Sequence, residues 1–228
     1  MDLDQRLSRL ASAAADHVHS GMTLGLGTGS TASAVIRELG RRAADGLRIQ
    51  GVATSTRTEA LARELGIPLV ALDDVPRLDL GIDGADEIDP NLNVIKGGGG
   101  ALLFEKIVAL ACDDYIVVSA SEKRSPALGT RFMLPVEIVA YGWTHTASRL
   151  RALGLEPVLR PGPDGAPLVT DNGGYILDCR PGQMHDPAHI AAAIKQVTGV
   201  VEHGIFAGIA RSAIIVEPDG EIAVETRQ

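Results

Sequence analysis

Four consecutive glycines, Gly97 to Gly100, stand between one lysine, Lys96, and an apolar helical pattern that carries Glu105 and Lys106. Glycine loses more backbone freedom on folding than any other residue. A run of four therefore sits where the chain turns sharply or comes close to something. A tight strand-to-helix turn needs only one or two. The pattern predicts a helix over Leu102–Ala111, starting just after the run. The first amides of a helix lack partners within it and suit an anion. Strand, glycine turn and helix make up the repeating step of a doubly wound sheet, with ligands at the turns.

The same step recurs along the 228 residues, enough for one large domain or two modest ones. An amphipathic helix over residues 3–18 precedes the strand MTLGLG, the turn TGST (Thr28, Gly29, Ser30, Thr31) and a helix to Leu39. Next come a strand and its exit loop over Leu47–Ser55, a helix over Thr56–Leu65 and the short strand IPLV. An apolar strand over Leu78–Ile82, the strand-like NLNVIK and the buried strand Tyr115–Ala120 follow. The expectation is an α/β, Rossmann-like domain with a mostly parallel sheet. After FMLPVEIVA the pattern changes. A helix at His145–Leu153, strands EPVLR and YILDC, turns at PGPDGAP and TDNGG, and a helix at Pro187–Gln196 predict a smaller α+β domain. The final ARSAIIVEPDGEIAVE reads as two strands about an Asp-Gly turn that return to the first domain.

Composition narrows the function classes. A formal net charge of -8 argues against a nucleic-acid partner. Aromatic residues at 3% argue against a sugar site built from stacked rings. Cys112 and Cys179 form no CxxC pair, which fits a reducing compartment. The charged N-terminal segment lacks the apolar core of a signal peptide, and no run is long enough to cross a membrane. A soluble, cytoplasmic protein is expected.

Three loops fall where the strands of a parallel sheet end. In TGST, Gly27, Gly29 and Ala32 satisfy G-x-G-x-x-A, but the next strand ends Ala53-Thr54-Ser55, with no acid for a ribose. No GKS or GKT follows either, so the phosphate of a small metabolite remains. In DGADEID, Asp83 and Asp86 flank Gly84 and Ala85. Sugar hydroxyls, a magnesium ion and simple turn capping all suit such a pair, and the six histidines form no ligand motif. The third loop is KGGG, Lys96 to Gly99. Behind it, Glu105 beside Leu102, Leu103 and Phe104 suits a general base for abstracting a proton next to a carbonyl. Lys96 or nearby amides would stabilise the resulting enediolate. Against this stands an ordinary exposed Glu105–Lys106 helix pair.

Taken together, TGSTA, DGADEID, KGGGGALLFEKI, LPVEI (Leu134–Ile138), TDNGGYILD (Thr170–Asp178) and GVVEHGIFA (Gly199–Ala207) closely resemble the A-type ribose-5-phosphate isomerases, in order over essentially the whole chain. The resemblance implies interconversion of D-ribose 5-phosphate and D-ribulose 5-phosphate through a cis-enediol or enediolate in the pentose phosphate pathway, with no metal and no cofactor. It implies that Glu105 moves the proton between C2 and C1. Asp83 and Asp86, with Lys96, would bind sugar oxygens, assist ring opening and move protons between oxygens. Substrate contacts would come from Thr28, Gly29, Ser30, Thr31, Gly84, Ala85, Gly97, Gly98 and Gly99, with Lys123 on the phosphate. The implied domains are 1–133 with 208–228, and a ferredoxin-like 134–207 that contributes to a homodimer or homotetramer. Three features depart from relatives. Phe104 replaces a frequent basic residue, Glu122 a small polar one, and no lysine precedes Lys96, although Arg6 and Arg9 lie in the first helix. A sugar-phosphate sensor on the same scaffold calls for a DNA-binding segment that the sequence does not show. A nucleotide-dependent oxidoreductase calls for the missing acid after the second strand.

Overall fold

The computed structural model describes residues 1–227. Its elements run α1 (Leu3–Ala15), β1 (Thr23–Leu26), α2 (Ser30–Ala44), β2 (Gln50–Ala53), α3 (Thr56–Glu64), β3 (Leu78–Gly84), β4 (Glu87–Ile88), β5 (Val94–Ile95) and α4 (Leu102–Leu110). They continue with β6 (Cys112–Ala120), β7 (Leu134–Ile138), α5 (Trp143–Ala152), β8 (Val158–Leu159), β9 (Tyr175–Cys179), α6 (Pro187–Lys195), β10 (Val200–His203), β11 (Ile205–Phe206), β12 (Ser212–Val216) and β13 (Ile222–Thr226). IPLV makes only a single parallel bridge, Gly51 to Leu69, and is not a full strand. No helix among the described residues is long and apolar enough to cross a membrane.

The chain divides into two compact units. The first comprises residues 1–85, 104–123 and 208–228, and the second 86–103 and 124–207. In the first unit a six-stranded sheet runs β13-β12-β6-β3-β1-β2, parallel throughout except for the edge strand β13. Strand order reverses between β1 and β3, because β2 lies on the far side of β1. A parallel sheet of this order binds ligands at the carboxyl ends of the two strands flanking that switch. The strands read as apolar runs because helices cover them. Leu24, Ile82 and Ile116 are buried with Leu10 of α1 and Ile36 and Leu39 of α2. Gly25 and Gly81 are register partners on β1 and β3. A Cβ on Gly25 would lie 2.7 Å from Val108, and one on Gly81 2.7 Å from the Cys112 sulfur. Gly25 thus lets α4 lie close on the sheet, and Gly81 leaves room for Tyr115 and Cys112 of β6.

In the second unit β7, α5, β8, β9, α6 and β10 form an antiparallel sheet of order β10-β7-β9-β8, the ferredoxin-like arrangement. Val136, Ile138, Leu150, Leu177 and Ile194 are the centre of its core. This unit also takes in residues 86–103, which the sequence pattern places with the first 133 residues. The reason is strand pairing: β4 and β5 join β11 in a three-stranded sheet rather than joining the parallel one.

Candidate active site

In the first unit, β1 and β3 end side by side at the switch point: the TGST turn leaves β1, and Asp83 is the next-to-last residue of β3. Gly27 lies against Asp83 so closely that a Cβ there would sit 2.2 Å from its Oδ1. The backbone N–H of Thr28 donates to that oxygen at 3.0 Å and that of Gly84 at 2.7 Å. The Tyr115 hydroxyl faces Oδ2 at 3.4 Å. Asp83 is buried. Burial pushes the Tyr115 phenol well above its ordinary value, and the Asp83 and Glu105 carboxylates push it further. Tyr115 thus stays a neutral donor, close enough to feel both acids.

Glu105 sits in the first turn of α4 with 4% of its surface exposed, and Lys106 has 7%. That burial disposes of the ordinary exposed helix pair. A carboxylate is costly to bury, and a buried one is a candidate for function. Lys123 follows β6 in a short 3₁₀ turn, and its ammonium donates to the Ala85 carbonyl. Gly29 caps α2 with φ 114°, open space where a side chain would be and no side-chain cap on the helix. Ser30 beside it is exposed, whereas Thr31 is buried.

Thr28 is occupied differently from the reading of TGST as a ring of substrate hydroxyls. Its Oγ1 lies 2.8 Å from Thr54 Oγ1, 2.8 Å from Ser55 Oγ and 2.9 Å from Thr58 Oγ1. Thr58 in turn donates to the Gly27 carbonyl at 2.9 Å. This buried hydroxyl cluster pins the turn, so Thr28 holds the loop that holds Asp83. Arg6 and Arg9 are also engaged elsewhere. The Arg6 guanidinium makes two bonds to Glu122, at 2.6 and 2.8 Å, and one to the Glu217 carbonyl at 3.0 Å. Arg9 donates to the Gly220 carbonyl at 3.1 Å. The unusual Glu122 is therefore the partner of Arg6. Phe104 joins Val52, Leu72, Ile107 and Val108 in the lining of an apolar cleft.

In the second unit, the Asp86 N–H donates to the Ile95 carbonyl at 2.8 Å, and its Oδ2 accepts the Gly98 N–H at 2.7 Å. Asp86 and the glycine run are thus directly joined. Lys96 is buried, with its Nζ 5.7 Å above the Phe206 ring centre. Its amide donates to the Gly204 carbonyl at 2.9 Å. Gly97 adopts φ 102°, and a Cβ there would also collide with Leu102. Ala85, the last residue of the first unit's opening segment and the third of DGAD, is buried.

Two acids of DGADEID have internal tasks. Asp89 accepts from Asn91 N, Asn93 N and Asn93 Nδ2, which closes its own turn. Glu87 is fully buried and accepts four backbone N–H groups, those of Gly129, Thr130, Arg131 and Phe132, at 2.9 to 3.3 Å. It anchors the strand that begins immediately after Asp86. No local pattern points to Glu87 because its four donors lie more than forty residues downstream.

Comparison with known proteins decides the family. The model of ribose 5-phosphate isomerase A (phosphoriboisomerase A) matches residues 50–220. The ribose-5-phosphate isomerase A of Roseiflexus castenholzii is 54% identical over 95% of this chain and 94% of its own length. The chain belongs to the ribose 5-phosphate isomerase A family. The enzyme from Nitrobacter hamburgensis is 48% identical over the whole of both chains. A solved D-ribose-5-phosphate isomerase in complex with phospho-erythronic acid superposes with a TM-score of 0.96 at 35% identity, covering both chains fully. Ribose 5-phosphate isomerase A from Methanocaldococcus jannaschii gives 0.92 at 36% identity over 98% of both chains. Membership in the ribose 5-phosphate isomerase A family accounts for the full set of motifs, from TGST to GVVEHGIFA.

Proposed function

We propose that this chain interconverts D-ribose 5-phosphate and D-ribulose 5-phosphate by moving one proton between C2 and C1, in the non-oxidative pentose phosphate pathway. The observation that carries the assignment of roles is the burial of Glu105 within electrostatic reach of Tyr115, the phenol that also faces Asp83. In the aldose-to-ketose direction Glu105 takes the proton from C2. The electron pair of that C–H bond forms the C1–C2 double bond, and the carbonyl π electrons move onto O1, giving a cis-enediolate. The Lys96 ammonium and the amides of the glycine run offset the charge on oxygen. Glu105 then returns the proton to C1 as the O2 hydroxyl loses its own, and the C2 ketone forms. Asp83 and Asp86 accept and return the protons on oxygen and assist ring opening. Gly29, Ser30 and Thr31 at the start of α2, with Lys123, hold the phosphate. Gly84, Ala85 and Gly97 to Gly99 shape the wall around the reacting carbons.

No step in this sequence needs a metal or a cofactor. Phospho-erythronic acid, held by the structural relative, carries a planar carboxylate at one end and a phosphate at the other, the layout of the enediolate. In EDTA, the enzyme is expected to convert ribose 5-phosphate to the ketose and to be inhibited by phospho-erythronic acid. Activity that disappears with EDTA and returns with a divalent ion would overturn the metal-free scheme. The reading includes a cytoplasmic homodimer or homotetramer. In support, Val139, Tyr141 and Val158 of the second unit are 48%, 94% and 59% exposed. Light scattering on the purified chain checks the oligomer, and a monomer would contradict it.

A further inference from the structure

The glycine run is held from behind by a clamp that neither its own sequence nor its neighbours reveal. Arg160 follows β8, where its N–H pairs with the Ile176 carbonyl of β9 at 2.9 Å. In that register Asp178 lies one step diagonally on the same face. Its carboxylate takes Arg160 Nε at 2.8 Å and Nη2 at 2.5 Å, a two-pronged grip that fixes the guanidinium plane. The remaining nitrogen, Nη1, donates to two successive carbonyls, Gly97 at 2.8 Å and Gly98 at 3.1 Å. Both side chains are largely enclosed, at 13% and 14% exposure.

The consequence follows from peptide geometry. In a trans peptide the C=O and the next N–H point in opposite directions. The Gly97 carbonyl faces Arg160, so the Gly98 N–H faces away, and it is found on Asp86 Oδ2 at 2.7 Å. The Gly98 carbonyl faces Arg160 too, so the Gly99 N–H is also turned away from the guanidinium. Two successive N–H groups aimed from one face form a concave anion site. Within the run the Gly97 carbonyl also accepts the Gly100 N–H at 3.0 Å, a turn bond that steadies the first peptide. Glycine peptides otherwise rotate easily, and Arg160 adds the hold on the second. We infer that the Arg160–Asp178 pair is a positioning device for the isomerisation. It locks the Gly97–Gly98 and Gly98–Gly99 peptides so that one N–H orients Asp86 and the next faces the developing enediolate oxygen. This rests on the proposed reading that the glycine run borders the reacting carbons.

The test compares wild type with Arg160→Lys, Arg160→Met and Asp178→Asn, and runs Glu105→Gln beside them. It measures kcat, KM for ribose 5-phosphate, the inhibition constants of phospho-erythronic acid and inorganic phosphate, and the thermal midpoint. Arg160→Met is expected to lower kcat about 10²-fold and to weaken phospho-erythronic acid by about the same factor. KM and inhibition by phosphate should stay within about twofold, because phosphate binds elsewhere. Arg160→Lys should fall between, since one ammonium lacks the fork that Asp178 holds. A merely structural role predicts a lower thermal midpoint with an unchanged kcat for the folded fraction, and that result overturns the clamp. If Glu105→Gln abolishes activity while Arg160→Met retains it, the site stands and the clamp alone is wrong. Full activity in Glu105→Gln would remove the site reading and the clamp with it.

Discussion

A methyl group at position 98 would meet the Asp86 carboxylate at 2.9 Å. Of the two, the carboxylate is the freer to move, and moving breaks its bond to the Gly98 N–H. Gly98→Ala is therefore expected to lower kcat about 10- to 100-fold while the thermal midpoint changes by only a few degrees. Steady-state kinetics beside a melting curve check this, and an unchanged kcat would show that Asp86 tolerates displacement. At this scale much of the site is legible in sequence. A lysine, a glycine run and a carboxylate behind it can be read because their types and spacing suit proton transfer beside a carbonyl. The internal duty of Thr28 is not legible, because its partners Thr54, Ser55 and Thr58 lie some thirty residues on, between β2 and the first turn of α3. Arg160 and Asp178 are hidden for the same reason. The only signal is opposite charge on two strands whose register must first be known.

Among the elements, α1 is tied to the loop after β6 through Arg6 and Glu122. Hydrogen bonding from Arg6 pulls the Glu122 carboxyl down from 4.5 to about 2. A depressed folded value means the pair's contribution is present above 4.5 and is lost as pH falls toward 2. The Glu122 side chain is 54% exposed, so solvent screens the pair and its worth is about 0.5–1 kcal/mol. Glu122→Gln should lose about that much at neutral pH, and its stability should converge with wild type as pH falls through that window. Denaturant titrations at several pH values measure this; a gap independent of pH would reject the assignment. The helices were readable from their 3.6-residue periodicity, as were the apolar runs of the parallel strands. The placement of residues 86–103 was not. β4 and β5 contribute two residues each, and β5 pairs with β11, whose residues lie 110 or more positions further on.

For the molecule as a whole, stability also depends on pH through a buried carboxyl in the second unit. Glu137 of β7 is 1% exposed and accepts the Thr170 hydroxyl at 2.6 Å. Burial raises its carboxyl above 4.5, against the opposing pull of the bonds from Thr170 and Asn172. A raised folded value stabilises most below 4.5, and that contribution is lost as pH climbs through the folded value. Glu137→Gln should therefore lose less stability than wild type as pH rises across that range, and parallel pH–stability curves would contradict this. The central claim concerns the first unit, and one measurement addresses it most directly: entry of solvent deuterium into ribose 5-phosphate and ribulose 5-phosphate, followed by NMR in EDTA, for wild type and Glu105→Gln. The account predicts exchange and interconversion by wild type, with both slowed about 10²- to 10⁴-fold in the variant and KM little changed. Full exchange by Glu105→Gln would show that another group moves the proton.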